Sequence, residues 1–161
     1  SDTYSQLGYQ AESGPWRNFY LTGAQDLLKK AVPYTSKLIN DGVLSQMDMG
    51  TLLDYCAIQL NGEKAGGKEA VININFTDTK EKVMLMLKNG VLNHRLGSQD
   101  KKADLTMEIA KMDFVKLFFG RTDLQTLRKT NKVKTTGDTK AIDMIRSACE
   151  PADPNFKIVL P

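Results

Sequence analysis

Four consecutive runs of strand character in the middle of the chain constrain its fold more than any other feature. In the first run, every second residue from Ala70 to Phe76 is apolar, which is the pattern of a half-buried strand. The second run, 83–87, is apolar on both faces and predicts a more central strand. Asn89-Gly90 then provides a strong hairpin signal, and the run 91–96 returns from that turn. A further alternating run, 103–109, completes a predicted four-strand meander.

Helical patterns lie on both sides of this meander. Before it, Asp48 is expected to cap a helix that ends at Asn61-Gly62. After it, an apolar helix is expected to close at Gly120, and Thr122 with Gln125 forms a capping box for the next helix. A fifth strand at 132–136, a last helix after Gly137-Asp138 and an extended end at 156–160 are expected to follow. This order predicts an α+β fold whose helices gather on one face of the sheet.

The first 46 residues have a helical pattern of their own. A helix is expected to begin at Gly14-Pro15, because proline at the first helical position gives up only an N–H that has no partner there. One face of this helix is wide and aromatic. Such a face predicts contacts either within a larger helical unit that forms a dimer or with the domain that follows. The candidate contact residues are Trp16, Phe19, Tyr20 and Leu27. A second helical piece at 34–39 is expected to stop at 40–42.

Composition and charge disfavour nucleic-acid and membrane functions. The chain has 161 residues and a formal net charge of +3, which is too small to indicate binding to either. The segment 121–140 is locally basic, but no aromatic residue between Phe119 and Phe156 is available to stack on a base. A lysine-rich strand edge is therefore the preferred interpretation. No apolar run approaches the ~20 residues of a membrane span, and Ser1–Gln10 have no signal-peptide pattern.

The residues needed for catalysis do not form a complete set. His94 is the single histidine, so neither a zinc centre nor a histidine-dependent triad is expected, and a structural role is preferred. The segment 62–69 imitates a phosphate-binding loop, but Glu69 stands where a hydroxyl residue must hold magnesium, so an exposed glycine turn is expected. Cys56 and Cys149 are expected to be free thiols on helices.

An excess of soft apolar residues is the remaining functional signal. Methionine adapts to irregular cavities and flexible apolar ligands, although ordinary core packing would account for each methionine by itself. One hypothesis is that the inner sheet face and its helices receive an alkyl tail. The candidate lining residues are Leu53, Ala57, Ile72, Ile74, Met84, Met86, Met107, Phe114, Phe118 and Met144.

Motifs along nearly the whole chain resemble the carboxy-terminal part of the bacterial alkylsulfatases, zinc enzymes that hydrolyse dodecyl sulfate and related esters. The motifs that resemble the end of that family's dimerisation domain are 7–12, 16–18, 20–21 and 23–24. The motifs that resemble its terminal domain are 76–79, 89–95, 120–122 and 156–161.

The resemblance implies two parts, a helical tail over residues 1–46 and a terminal domain over 47–161. The terminal domain is expected to be similar to the sterol carrier proteins, with a five-stranded, mainly antiparallel sheet and helices packed on one face around an apolar tunnel. No catalytic residue can be carried over, because the zinc-binding domain of the family has no counterpart in this sequence. No cofactor is therefore expected in this chain itself.

The implied function is non-catalytic binding of an alkyl chain or fatty-acid-like ligand, in a homodimer formed through the tail. Two alternatives remain: a purely structural or dimerisation module without a ligand, and a stand-alone lipid carrier. The resemblance also implies a periplasmic or secreted bacterial protein.

Overall fold

The computed structural model describes residues 1–28 and 41–150, which belong to two separate compact units. The first unit contains two contacting helices, α1 (Asp2–Gln10) and α2 (Gly14–Leu28). The second unit contains α3 (Asp41–Gln46), α4 (Met49–Ile58), α5 (Gly62–Ala65), β1 (Ala70–Phe76), β2 (Lys82–Lys88), β3 (Val91–Leu96), β4 (Leu105–Ile109), α6 (Lys111–Phe118), α7 (Leu124–Lys129), β5 (Val133–Gly137) and α8 (Lys140–Ala148). The helix predicted at 34–39 and the extended end predicted at 156–160 lie outside the described residues.

The five strands form one sheet in the order β3-β2-β1-β4-β5. Every neighbouring pair is antiparallel except β1 and β4, which are parallel. The prediction that all four central runs form a meander is therefore wrong for β4, which pairs with β1 instead of β3. A meander would have left β1 at an edge, whereas pairing with β4 places this buried strand at the centre of the sheet.

The segment 97–104, called here the crossing loop, carries the chain from β3 back to the far side of β1. Asn73 on β1 anchors this loop twice: its side-chain nitrogen donates to the carbonyl oxygen of Asp100 at 2.7 Å, and its side-chain oxygen accepts from the Asp100 amide at 3.0 Å. The side chain of Gln99 donates to Asn75 at 2.6 Å. Asn73 and Asn75 share one sheet face, called the outer face, and the crossing loop therefore runs over this face.

The opposite face of the sheet, called the inner face, carries the core. Leu85 on β2 and Leu105 on β4 both pair with Ile72 on β1, so these three side chains lie side by side on the inner face. All three are at most 1% exposed. They belong to one buried cluster with residues of α4, α6 and α8, among them Leu52, Phe114 and Ile142. The α+β class and the five-stranded, mainly antiparallel sheet with helices on one face are confirmed.

Two local predictions are confirmed by the backbone. The side chain of Asp48 accepts a hydrogen bond from the Thr51 amide at the start of α4, as expected of a helix cap. Asn89 and Gly90 both have positive φ between β2 and β3, as a two-residue hairpin requires.

Three other local predictions are wrong. The cap of α7 is Asp123 instead of Thr122, because its carboxylate accepts from the Thr126 amide at 2.8 Å. Asp41 and Gly42, which were expected to lie outside a helix, form the start of α3. The expected glycine turn after Asn61 contains the short helix α5, since the Asn61 side chain caps it and its last residue is buried in the core.

At the end of β5, the backbone of Gly137 lies so close to the backbone of Asp104 that a side chain at position 137 would collide with it. Gly137 has φ +104°, and a Cβ atom there would lie 2.3 Å from the carbonyl oxygen of Asp104. That oxygen also accepts from the amide of Asp138 at 2.8 Å. The contact joins β5 to the end of the crossing loop.

We expect Gly137→Ala to lower the free energy of unfolding by at least about 2 kcal/mol, because the backbone conformation and the collision both disfavour alanine. Gly67→Ala is the matched control, since nothing lies within 4 Å of its Cβ position. Urea unfolding followed by circular dichroism measures both variants. Equal midpoints for the two variants would contradict the close approach described here.

Candidate functional site

Eight of the ten predicted lining residues lie together between the inner face and the helices. Six of these eight are buried in one cluster and two are half-buried against it. The buried ones are Leu53, Ile72, Ile74, Met107, Phe114 and Phe118, and the half-buried ones are Ala57 and Met144.

The remaining two predicted lining residues, Met84 and Met86, lie on the outer face. Met84 pairs with Asn73 and Met86 pairs with Val71, so both side chains project away from the helices. Met84 is only 6% exposed and shares its face with the anchor of the crossing loop. These two methionines therefore cannot line a space between the inner face and the helices, because alternate residues of a strand face opposite ways.

A series of five aromatic rings, called here the aromatic row, connects the sheet with the surface. The rings of Phe76 and Phe114 are 5.6 Å apart, those of Phe114 and Phe118 are 5.9 Å apart, and those of Phe118 and Phe119 are 5.4 Å apart. Tyr55 on α4 ends the row, 5.6 Å from Phe119. The first three rings are buried, and the last two are half-buried.

Sequence reasoning missed three of these rings, Phe76, Phe119 and Tyr55, as candidates for the site. Phe114 and Phe118 were found because they belong to the strongly apolar segment that predicts a helix before Gly120. Phe119 adjoins Phe118, but it lies at the end of α6. Its contact with Tyr55, 64 positions earlier, depends on how α4 and α6 meet.

The space between the inner face and the helices is closed at its centre. Leu53, Ile72, Ile74, Met107 and Phe114 are 0% exposed, so no open space the size of a water molecule adjoins them. Half-buried apolar residues pack against this closed cluster and include Phe119, Met112 and Met144. Any apolar ligand of this region would have to enter where these flexible side chains can be displaced.

Two polar residues of the second unit that could suggest chemistry, His94 and Lys111, have structural partners. Nδ1 of His94 lies 3.7 Å from the carboxylate of Asp54, which is exposed. Lys111 is buried, and its Nζ donates to the carbonyl oxygens of Ser45 and Met47. Lys111 thereby holds the turn between α3 and α4 against the start of α6. Residues 1–28 and 41–150 contain no group of three or more potential metal ligands and no helix long and apolar enough to cross a membrane.

The two cysteines are free and poorly suited to nucleophilic chemistry. Burial, together with the nearby Cys149 thiol, raises the pKa of Cys56 to about 12. Burial also raises the pKa of Cys149 to about 11. Since the thiolate is the reactive form, both thiols are largely unreactive near neutral pH.

The first unit exposes much of its predicted aromatic face. Trp16 is 59% exposed, and Phe19 and Leu27 are each 42% exposed. Tyr20 is half-buried, and its ring contacts those of Tyr4, Trp16 and Phe19. Pro15, Trp16 and Phe19 line an open hollow of about 260 Å³.

Comparison with known proteins explains the division into two units. The family model described as "Alkyl sulfatase C-terminal" matches residues 37–161, well over half of the chain. The chain belongs to the alkylsulfatase C-terminal family. The model described as "Alkyl sulfatase dimerisation" matches residues 1–30.

Individual members of the family give the same placement. The linear primary-alkylsulfatase of a Pseudomonas species is 37% identical over this whole chain, which covers 24% of that protein. The solved structure of the inverting sec-alkylsulfatase Pisa1 from Pseudomonas superposes on 95% of this chain and 24% of its own, with a TM-score of 0.82 and 34% identity.

The NMR structure of palmitated SCP2L2 from Aedes aegypti is a weaker match. Its TM-score is 0.46, with 15% identity over 65% of this chain and all of that one.

This member of the alkylsulfatase C-terminal family spans about a quarter of the length of the curated relatives that it matches. Its relatives are sulfatases, and the resemblance noted in the sequence to the end of those enzymes is confirmed.

We expect the thiols of the folded chain to react slowly with a disulfide reagent at pH 8. A pKa of about 12 for Cys56, against an ordinary value of 9.0, lowers its thiolate population by about a thousandfold at that pH. The rate of the folded chain should therefore keep rising above pH 9, whereas in denaturant it should level off there.

Stopped-flow absorbance on the native chain, the denatured chain and Cys149→Ala measures these rates. Reaction of Cys56 in the folded variant at the denatured rate would show that this thiol is not buried as described.

Proposed function

We propose that the second unit of this chain is the non-catalytic domain of an alkylsulfatase that receives the apolar tail of an alkyl sulfate. The observation that carries this proposal is the aromatic row, which offers a continuous apolar path from the half-buried Tyr55 to the centre of the sheet at Phe76. The names of the relatives supply the substrate class. Hydrolysis itself is assigned to a zinc-binding domain elsewhere in the enzyme.

Ligand entry in this proposal begins at the outer end of the row. Phe119 and Tyr55 are half-buried, and Met112 and Met144 are also half-buried against the core. Methionine side chains have three rotatable bonds, so they can move aside and then pack against an alkyl chain. The completely buried residues farther in, such as Ile72 and Met107, must separate from the helices before the tail reaches them.

The energetics favour a weak, transient interaction. A twelve-carbon tail gains ~0.8 kcal/mol for each buried methylene, or about 9 kcal/mol when fully enclosed. Association costs at least ~4 kcal/mol, and opening a closed core lowers the affinity further. The remaining free energy is at most about 5 kcal/mol and corresponds to roughly millimolar binding, which suits a domain that guides substrate and does not store it.

We expect the full chain to bind dodecyl sulfate saturably below its micelle concentration, and Phe119→Asp to weaken this binding by about tenfold. The substitution places a charge at the entrance of the aromatic row, where the tail must be desolvated. Ile58→Asp is the matched control, because Ile58 ends α4, is 78% exposed and does not belong to the row. Isothermal titration calorimetry measures the affinities, with circular dichroism to show that each variant stays folded.

Three results would count against this proposal. Unfolding without saturable binding, or no response at all, would leave a structural module. Equal weakening by Phe119→Asp and Ile58→Asp would place the tail elsewhere. If neutral lipids bind with the same affinity as alkyl sulfates, a general lipid carrier would be favoured instead.

A second candidate function, self-association, is favoured for the first unit. Its helix α2 exposes Trp16, Phe19 and Leu27, and the dimerisation family model matches this part of the chain. Aromatic side chains with this degree of exposure are typical anchors of protein interfaces. The hollow beside Trp16 offers space for an apolar side chain of a second copy. We propose that this face contributes to a homodimer.

We expect the chain to sediment as a dimer in a concentration-dependent manner and Trp16→Glu to shift it toward monomer by at least about tenfold in dissociation constant. Tyr9→Glu is the control, because Tyr9 on α1 is still more exposed, at 76%, but lies outside the aromatic face of α2. Sedimentation equilibrium across a range of concentrations gives both constants. A monomeric wild-type chain, or equal effects of the two substitutions, would contradict this assignment.

A further inference from the structure

One nitrogen of the guanidinium group of Arg146, on α8, has no hydrogen-bond partner. Its Nη1 lies 3.5 Å from the carboxylate of Asp143, a neighbour on the same helix. Its Nε, in contrast, is buried and has no hydrogen-bond partner. In residues 1–28 and 41–150, no other buried side-chain nitrogen or oxygen lacks a hydrogen-bond partner. A buried donor without an acceptor costs free energy, so its presence calls for an explanation.

The position of Arg146 links this unpaired edge to the aromatic row. Its Nη2 lies near Gly120, since a Cβ atom built on Gly120 would be 3.8 Å from it. Gly120 directly follows Phe119, the ring through which the row continues to the half-buried Tyr55. The guanidinium group therefore lies beside the outer end of the apolar path.

The geometry of the guanidinium group selects an oxyanion. Nε and Nη2 form one edge of the group, whose two parallel N–H bonds match two oxygens of a carboxylate or a sulfate. Asp143 approaches the other end of the group, at Nη1, and its side chain is 63% exposed. An exposed ion pair of this kind is weak, so it leaves most of the positive charge of Arg146 available.

Three other basic side chains, all of them exposed, lie beside carboxylates. Arg121 pairs with Asp41, and Lys132 lies 3.6 Å from Asp113. Lys134 lies 3.8 Å from Glu108. Gly120, moreover, adds no side chain in front of Nη2. Arg146 differs from these three residues because its Nε is buried without a hydrogen-bond partner and its Nη2 lies close to Gly120, which follows Phe119.

We propose that Arg146 binds the anionic headgroup of an amphiphile, a sulfate ester or a carboxylate, whose apolar tail lies along the aromatic row. This inference rests on the proposed function and adds the chemical class of the head. Because Nε is covered, the headgroup reaches it through the same displacement of side chains that admits the tail. The binding is then bipartite: the row selects an apolar chain, and Arg146 selects a negative end.

The first experiment tests the headgroup site without relying on the tail. The Nε–H resonance of Arg146 in the full chain, labelled with nitrogen-15, is followed while inorganic sulfate, methyl sulfate, dodecyl sulfate or dodecanoate is added. We expect a saturable shift of this resonance with dodecyl sulfate and dodecanoate, and a weaker one with the two small anions. The two long-chain ligands distinguish a sulfate ester from a carboxylate as the preferred head.

The second experiment separates charge recognition from tail binding. We expect Arg146→Gln to weaken binding of dodecyl sulfate by about tenfold or more, as for the loss of a hydrogen bond to a charged group, and to leave binding of a non-ionic dodecyl amphiphile unchanged. Arg146→Lys should recover only part of the affinity, because lysine keeps the charge but lacks the paired donors. Lys140→Gln, an equal change of charge at the exposed start of α8, should change either affinity by less than about twofold.

The outcomes distinguish this inference from the proposed function. The headgroup assignment is wrong, and the tail site stands, if the long-chain ligands bind but Arg146→Gln weakens the binding of dodecyl sulfate and of the non-ionic amphiphile equally. The same conclusion follows if the substitution weakens the binding of neither ligand. If sulfate and methyl sulfate shift the Arg146 resonance but no dodecyl ligand binds, the headgroup site stands and the proposed function is wrong. An Arg146 resonance that responds to none of these anions overturns the inference and indicates that an ordered water partners Nε.

Discussion

The central position of β1 is the constraint on which the second unit depends. Its inner side carries Ile72 and Ile74 into the core, and its outer side carries Asn73, which anchors the crossing loop through two hydrogen bonds. That loop allows β4 to enter parallel to β1, and β4 in turn pairs with β5. An apolar residue at position 73 would leave the loop's amide and carbonyl groups without these partners, so the outer face needs its polar residue.

The same arrangement separates the rigid part of the core from the part that can open. The inner-face side chains Ile72 and Ile74 of β1 are completely buried, whereas Tyr55, Phe119 and Met144 are half-buried against the core. Close packing resists partial deformation, so a ligand is more easily admitted where packing is incomplete. The aromatic row and Arg146 both reach this region, which makes it the natural entrance in the proposed mechanism.

Two kinds of prediction from the sequence succeeded, and each rests on local chemistry. Alternation of apolar residues identified β1 and β4, and a continuous apolar run identified β2. Asp48 and Asn89-Gly90 identified a helix start and a hairpin, because caps and tight turns depend on a few neighbouring residues. The family motifs added the relation to alkylsulfatases, which no local pattern contains.

The tertiary structure alone decided three features: the strand order, the outward direction of Met84 and the position of Arg146. Local alternation shows that a strand has two faces, but only pairing with β1 and β3 decides which face of β2 meets the helices. Likewise, only the folded chain shows that Nε of Arg146 is buried without a partner and that its Nη2 lies close to Gly120, more than twenty positions earlier. Contacts between distant segments set burial, and burial determines what a methionine or an arginine can do.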